Sequence, residues 1–326
     1  MLSRILVTGG AGYIGSHAVK ELRKQGFEVV VFDNLSTGRR EFVRDAELMV
    51  GDLEDRDDVL NLFRTREIAA VLHFASLIQV GESYVHPRKY YTQNLSSSLN
   101  LLEAMLEADV KRFIFSSSAA VYGIPRRIPI TEDHPLDPFN PYGQTKFFVE
   151  RILQDYDRAY GLKFISLRYF NAAGADPEGQ MGECHDPETH LIPNTMLTVL
   201  GKRERLEIYG TDFPTPDGTA VRDYIHVTDL AAAHVLALRR LMTTPQSEFI
   251  NLGANKGYSV REVVAKAEEI TGHKIPVRER PRRKGDVPVL LASKDKAERL
   301  LGWNLRHSDL TAILETAWRW HREFSR

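Results

Sequence analysis

The chain has almost no cysteine. Cys184 is the only one in 326 residues, so no intrachain disulfide can form and no cysteine-based zinc site can be built. A reducing, cytoplasmic setting is the expectation. Long apolar runs are missing too. No stretch of about 18 consecutive apolar residues occurs, which leaves no candidate for a membrane-crossing helix. The first residues lack the basic start, apolar stretch and small-residue cleavage site of a secretory leader, and none is expected. Neither sign of charge dominates: 43 Lys and Arg stand against 44 Asp and Glu, with a pI near 6.8. No strong field is available for nucleic acid or an anionic membrane. Repeats, low-complexity tracts and long runs of like charge are absent. No two histidines and an acid stand at an evident metal-ligand spacing, so no metal is expected.

What is present is ordinary globular composition, 43% hydrophobic and 27% charged, enough for a large core or two lobes. The first half alternates short apolar runs with helical patterns. Residues 4–8, 28–33, 47–51, 70–74, 112–116 and 164–169 read as strands; 13–25, 55–66, 87–108 and 141–160 read as helices. Near-continuous Val, Ile, Leu and Phe in the strands is what a parallel sheet covered on both faces requires. The alternation predicts a doubly wound α/β fold. After Asn171 the rhythm breaks. A Gly-, Pro- and Asp-rich loop over 172–188 precedes a helix near 191–201, strands at 206–209 and 223–226, and helices at 229–242, 259–272 and 310–324. This predicts one domain over 1–172 and a smaller mixed α/β lobe over 173–326, within which the chain is free to cross back.

Val7-Thr8-Gly9-Gly10-Ala11-Gly12-Tyr13-Ile14-Gly15 follows a predicted strand and opens a predicted helix. Gly10, Gly12 and Gly15 make G-x-G-x-x-G. Glycine permits the tight turn, and backbone N–H groups at a helix N-terminus suit a pyrophosphate. Asp33 ends the second strand, 18 residues after Gly15. A carboxylate there accepts from an adenosine ribose and repels a 2′-phosphate, which favours NAD over NADP. Arg39 and Arg40 follow and complicate that choice. The rival is a glycine turn in a nucleotide-free α/β protein. Asp52, with Leu53 at the end of the third strand, stands where an acid reaches the adenine amino group; it equally suits a helix N-cap. The first domain is therefore expected to be of Rossmann type.

Tyr142 and Lys146 are four apart on a predicted helix and share a face. An ammonium near a phenol stabilises phenolate, and a phenol brought down from about 10 becomes a base near neutrality. Ser116, Ser117 and Ser118 follow a strand end, where a hydroxyl can hydrogen-bond a reacting sugar oxygen.

The combination T-G-x-x-G-x-x-G, serine and Y-x-x-x-K resembles the extended short-chain dehydrogenase/reductase superfamily. Within it, Gly9–His17, FDNLS at 32–36, HFA at 73–75, SSSAAVYG at 116–123, PYG at 141–143, RYFN at 168–171 and VRDYIHV at 221–227 resemble the UDP-glucose 4-epimerases, from about Arg4 to Trp303. The resemblance implies reversible oxidation at C4 of a UDP-hexose by tightly held NAD, through a transient 4-keto sugar. It casts Tyr142, Lys146 and Ser118 as catalytic. It implies cofactor contacts from Gly9, Gly12, Tyr13, Ile14, Gly15, Asp33, Asn34, Ser36, Asp52, Leu53, Phe74, Ala75, Asn94, Ser116, Tyr142, Lys146 and Phe170.

On the substrate side it implies Ser118, Tyr142, Asn171, His190, Leu191, Arg222, Arg283, Asp286 and Leu290. Arginine forks match phosphate oxygens. Read locally, Arg222 could instead be a structural partner of Asp223 or Asp229, and Arg283 part of a solvated basic cluster over 278–284. His190 replaces a usual asparagine, Ile78 stands at a frequent lysine and Gln93 at a frequent asparagine. Leu290, at the position that gates 2-N-acetyl sugars, is of intermediate size, so N-acetylated UDP-hexoses and UDP-pentoses stay open. His17, His73 and His226 read as packed histidines, and Trp303, Trp318 and Trp320 as packing. A homodimer through helices 87–108 and 141–160 is a family-level expectation. The rivals are a nucleotide-sugar dehydratase or decarboxylase, for which Ala119-Ala120 supplies no extra acid, and a non-catalytic dinucleotide sensor.

Overall fold

The structure is a computed structural model that describes residues 4–283 and 285–324. Lys284, the end of the basic cluster, lies outside them. The first half builds β1 (Arg4–Thr8), α1 (Tyr13–Lys24), β2 (Glu28–Asp33), β3 (Glu47–Val50), α2 (Arg56–Thr65), β4 (Ala70–His73), α3 (Val80–Val85), α4 (Pro87–Tyr90), α5 (Ser97–Glu107), β5 (Arg112–Ser118), α6 (Pro141–Tyr160) and β6 (Lys163–Tyr169). The second half adds β7 (Asn171–Ala173), α7 (Leu191–Val199), β8 (Leu206–Tyr209), β9 (Val221–His226), α8 (Val227–Thr243) and β10 (Glu248–Leu252). It ends with β11 (Gly257–Ser259), α9 (Val260–Thr271), β12 (Val277–Arg280), β13 (Val289–Leu290), α10 (Asp295–Leu301) and α11 (Leu310–Phe324). No helix among the described residues is long and apolar enough to cross a membrane.

Among the described residues, seven parallel strands form the main sheet in the order β3-β2-β1-β4-β5-β6-β10. The inner strands are apolar on both faces because both are covered, while the edge strand β3 is partly exposed. On one face Ile5, Val7, Val29 and Val31 meet Val19 and Leu22 of α1 and Leu230, Leu238 and Leu241 of α8. On the other, Leu6, Val30, Val71, Phe113 and Phe115 meet Leu62, Leu101, Met105, Val149 and Leu153. Each such burial contributes about 1.5–3 kcal/mol. The strand order reverses between β1 and β4, and that reversal brings two loops together. Phe74 N–H donates to Thr8 O at 2.9 Å, and a Cβ added to Gly9 would lie 2.5 Å from Ala75 N. An open crevice at the carboxyl ends of the strands, where ligands bind in such sheets, follows from this topology.

Two elements depart from the sequence expectation. The helix predicted over 87–108 is interrupted by a π-helical stretch, Tyr91–Ser96, which turns Asn94 inward. The chain also returns to the main sheet late: β10 pairs with β6 from Glu248↔Ile165 to Leu252↔Tyr169. The smaller lobe holds a sheet in which β9 is flanked by β7, β11 and β13, and a two-stranded pair of β8 with β12. Its core gathers Met196, Val263, Ala267, Ile313 and Leu314 from α7, α9 and α11.

Candidate active site

The glycine loop is shaped by contacts that no side chain could share. Gly9 has φ +70°, in the left-handed region. A Cβ on Gly15 would stand 2.2 Å from Gly9 O. Gly12 caps α1 without a side chain, and the first helical hydrogen bond runs from Ser16 N–H to Gly12 O at 2.9 Å. The N–H groups of Tyr13, Ile14 and Gly15 precede that bond, and the first turn carries no acid. The result is a close-fitting, positive helix end that suits a pyrophosphate. The Tyr13 hydroxyl is turned away and donates to Gly174 O at 2.7 Å, pinning the loop to the second lobe.

Asp33 is buried and locks the end of β2 to this loop. It accepts from Ala11 N–H at 2.9 Å and from Leu35 N–H at 2.8 Å. Burial raises its carboxyl above the usual range, and the two N–H donors work against that. Asn34 donates to Asp52 at 3.0 Å and accepts from Ser36 N–H at 3.0 Å, so the acids and amide at the ends of β2 and β3 form one ledge. Asp52 is not the cap of α2; that role belongs to Asp55, which accepts from Asp57 and Asp58 N–H. Leu53 is buried beneath the ledge. Arg39 is occupied elsewhere: it donates to Cys184 Sγ at 2.9 Å and lies 5.0 Å from the Phe324 ring.

The catalytic candidates come from β5, the short turn after it and α6. Asn140 caps α6 by accepting from Gly143 N–H at 2.7 Å, and Pro141 takes the first helical position. Gly143 is required there, since a Cβ would lie 2.7 Å from Ala120 O. The next turn places Lys146 in the core, where it donates to Ser116 O at 2.9 Å. Its Nζ lies 5.0 Å from the Phe115 ring and 5.9 Å from the Tyr142 ring. Burial brings the ammonium down to about 7, opposed by Glu150. Tyr142 is hydrogen-bonded to Ser118, which lowers its pKa, but burial is the larger effect and raises it. The bond to Ser118 thus favours phenolate against the effect of burial. Ser116 pairs with the Tyr169 hydroxyl. Asn94 donates to Leu77 O and Thr145 Oγ1 and accepts from Leu77 N–H, which ties the π-helical stretch to α6. Phe74 packs on His234, with ring centroids 4.6 Å apart.

The second lobe supplies the remaining candidates. β13 sets Leu290 in register with Arg222 on β9. Arg222 donates to Val221 O and Val287 O, both at 2.9 Å, and lies 3.9 Å from Asp286. Arg283 reaches the same carboxylate at 3.1 Å and covers the Tyr209 ring at 5.0 Å. The alternatives for Arg222 fall away, because Asp223 accepts from Ala254, Asn255 and Ala292 N–H and Asp229 from the 306–308 turn. Leu290 and Phe170 both pack against the cluster of Val121, Tyr122 and Ile130, which joins this lobe to the turn after β5. Asn171 lies at the start of β7, opposite Tyr224. His190 caps α7 and Leu191 begins it.

Residues 5–253 match the NAD dependent epimerase/dehydratase family. A UDP-glucose 4-epimerase of Halalkalibacterium halodurans is 49% identical over 98% of this chain and 96% of its own. The structure of UDP-glucose 4-epimerase from Brucella ovis in complex with NAD superimposes with a TM-score of 0.95, at 47% identity over 97% of each chain. The enzyme from Stenotrophomonas maltophila, with bound NAD and formylated UDP-arabinopyranose, gives a TM-score of 0.96 at 42% identity over 99% of each chain. This chain belongs to the NAD-dependent epimerase/dehydratase family.

Within the family frame, two groups escape the sequence reading. Glu150, one turn beyond Lys146 on α6, is buried and accepts from Ser117, Ser166 and the Nε and Nη2 groups of Arg168. Arg168 lies between the rings of Tyr122 and Phe249, 5.1 and 4.6 Å from their centroids. This pair bolts α6 to β5 and β6. The i, i+4 spacing of Lys146 and Glu150 is the signal that betrays it. The second group has no evident metal-ligand spacing in sequence: Glu183, His185, Glu188 and His190 bring their donor atoms within 4.8 Å of one another, within one eight-residue segment. The expected packing of His17, His73 and His226 agrees with their burial and ring hydrogen bonds.

Proposed function

We propose that this chain is an NAD-dependent UDP-glucose 4-epimerase that interconverts UDP-glucose and UDP-galactose. The observation that carries this reading is the meeting of Tyr142, Ser118 and Lys146 at the end of β5, beside a glycine loop fitted to a dinucleotide. NAD held by the loop and by the Asp33 ledge would supply the hydride acceptor at sugar C4 and give the same hydride back. Tyr142 would take the proton of the 4-hydroxyl as C4 is oxidised and return it when the other face of the 4-keto sugar is reduced. Ser118, hydrogen-bonded to Tyr142, shortens the proton path. Lys146, anchored on Ser116 O, would hold the nicotinamide ribose and add positive charge beside Tyr142. Arg222 and Arg283 would grip the diphosphate, with Asp286 at the uridine ribose, so that the sugar alone turns over. Asn171, His190 and Leu191 would line its path.

Replacing Tyr142→Phe is expected to lower turnover at least about 100-fold, with the amount of co-purified NAD unchanged. Turnover equal to the parent's would overturn the mechanism. UDP-glucose, UDP-galactose, their N-acetylated forms and UDP-xylose, each incubated without added NAD, define the range that Leu290 permits. Conversion of none would refute the epimerase reading itself. We also propose a homodimer through α4–α5 and α6. Tyr91 and Phe148 meet as tilted rings with centroids 6.4 Å apart, and Phe148 is 39% exposed. Light scattering giving a monomer mass would exclude it. The lone, partly exposed Cys184 suits a cytoplasmic setting.

A further inference from the structure

The segment between β7 and α7 presents four donor atoms, from Glu183, His185, Glu188 and His190, that all lie within 4.8 Å of one another. Both carboxylates are buried, with side chains 4% and 3% exposed. Two buried carboxylates facing each other need compensating positive charge. Two imidazoliums could supply it, but the pairing is uneven: both rings lean on Glu183, and one oxygen of Glu188 is left without a hydrogen bond. His185 Nδ1 lies 3.1 Å from Glu183 Oε1 and 3.8 Å from Glu188 Oε2, yet neither His185 Nδ1 nor Glu188 Oε2 makes a hydrogen bond. At 3.1 Å only a poor angle forbids one. His190 Nδ1 meets Glu183 Oε1 and is 4.0 Å from Glu188.

The frame around these atoms is fixed. Thr189 and His190 N–H donate to Glu188 Oε1 at 2.8 and 3.0 Å, which leaves Oε2 aimed into the cluster. Trp320 Nε1 holds Glu183 O at 3.0 Å, and the Tyr13 ring meets His185 edge-on. The two imidazoles stand at 80° to each other, with centroids 5.6 Å apart.

We propose that Glu183, His185, Glu188 and His190 form a binding site for one divalent cation of the zinc class. Two imidazole nitrogens and two carboxylate oxygens are the donor number and type of a closed tetrahedral zinc site. Calcium and magnesium, which take six or more oxygens, match it poorly. Two positive charges balance the two carboxylates with both imidazoles neutral. The ion would staple the 183–190 segment to the start of α7, under the glycine loop. The site shares His190 with the proposed sugar path, but it holds no group of the hydride chemistry and does not depend on the epimerase reading.

The test uses the full chain with its NAD. It is stripped with a chelator, incubated with zinc chloride alone and freed of unbound metal by gel filtration. Elemental analysis is expected to give about one zinc per chain, and thermal melting is expected to rise. Cobalt(II) in place of zinc is expected to give the visible absorption of a tetrahedral site. The His185→Gln/Glu188→Gln variant is expected to retain no metal while keeping its NAD. A chain that emerges metal-free, or a variant that holds as much zinc as the parent, would overturn the site. If the variant fails to fold, the cobalt spectrum of the unaltered chain decides, and absence of the tetrahedral bands refutes the proposal.

Discussion

At Glu150 one carboxylate gathers two serine hydroxyls and a guanidinium fork, all out of water. The attraction is strong because the pair is dry, and so is the penalty for breaking it. Arg168→Met leaves Glu150 charged and uncompensated and is expected to cost about 3–5 kcal/mol, read from the midpoint of urea unfolding at unchanged slope. Adding Glu150→Leu to that variant is expected to restore part of the loss. No recovery in the double variant would show that the shape of the fork, rather than its charge, is what matters. The glycine turn, the Tyr142–Lys146 face and the acid at the end of β2 were legible in the sequence because each answers a local geometric need. What was illegible is pairing between distant segments: Arg222 finds Asp286 rather than its neighbours Asp223 and Asp229. Nothing in their spacing announces it.

The glycine loop behaves as one element with α1 and β4. Its turn exists because three backbones come within contact of one another, and the tightest approach is at Gly15, where an added Cβ would sit 2.2 Å from Gly9 O. Backbone cannot swing aside as a side chain can, so Gly15→Ala is expected to part α1 from the loop. Loss of co-purified NAD together with a drop in melting temperature is the predicted result; full NAD content would contradict the close approach. Strands and helices of the first half were readable because burial on both faces leaves unbroken apolar runs, and the α1, α6 and α11 boundaries follow capping and amphipathic patterns. Short elements were not. β10, Glu-Phe-Ile-Asn-Leu, carries a buried Asn251 that accepts from Tyr122 and donates to Ile130 O, and polar residues in so short a run hide a strand. The π-helical stretch is likewise silent in sequence, since what bends it is the distant contact of Asn94 with Leu77 and Thr145.

Over the whole molecule, buried histidines tie stability to pH. Burial takes His17 and His234 down to about 4 and His73 and His226 to about 3. Unfolding restores them to about 6.5, so between pH 4 and 6.5 the unfolded chain binds more protons and stability falls as pH falls. Asp223, pushed up to about 7 by burial, opposes this with one proton. His185 and His190, raised by Glu183 and Glu188, oppose it only above about pH 6.5, so the net effect below that is a loss of stability on acidification. Urea midpoints measured from pH 7 to 5 are expected to drop steeply, and a flat profile would mean that these rings titrate freely in the native state. The same long-range wiring has a consequence during synthesis. β6 is flanked by β10, whose residues follow about 80 positions later. At roughly 5–20 residues per second, the nascent sheet keeps an open edge at β6 for some 4–16 s after that strand is made. An unpaired edge is a template for joining other chains. The ribosome-bound intermediate that ends before Glu248 is therefore the form most in need of a chaperone.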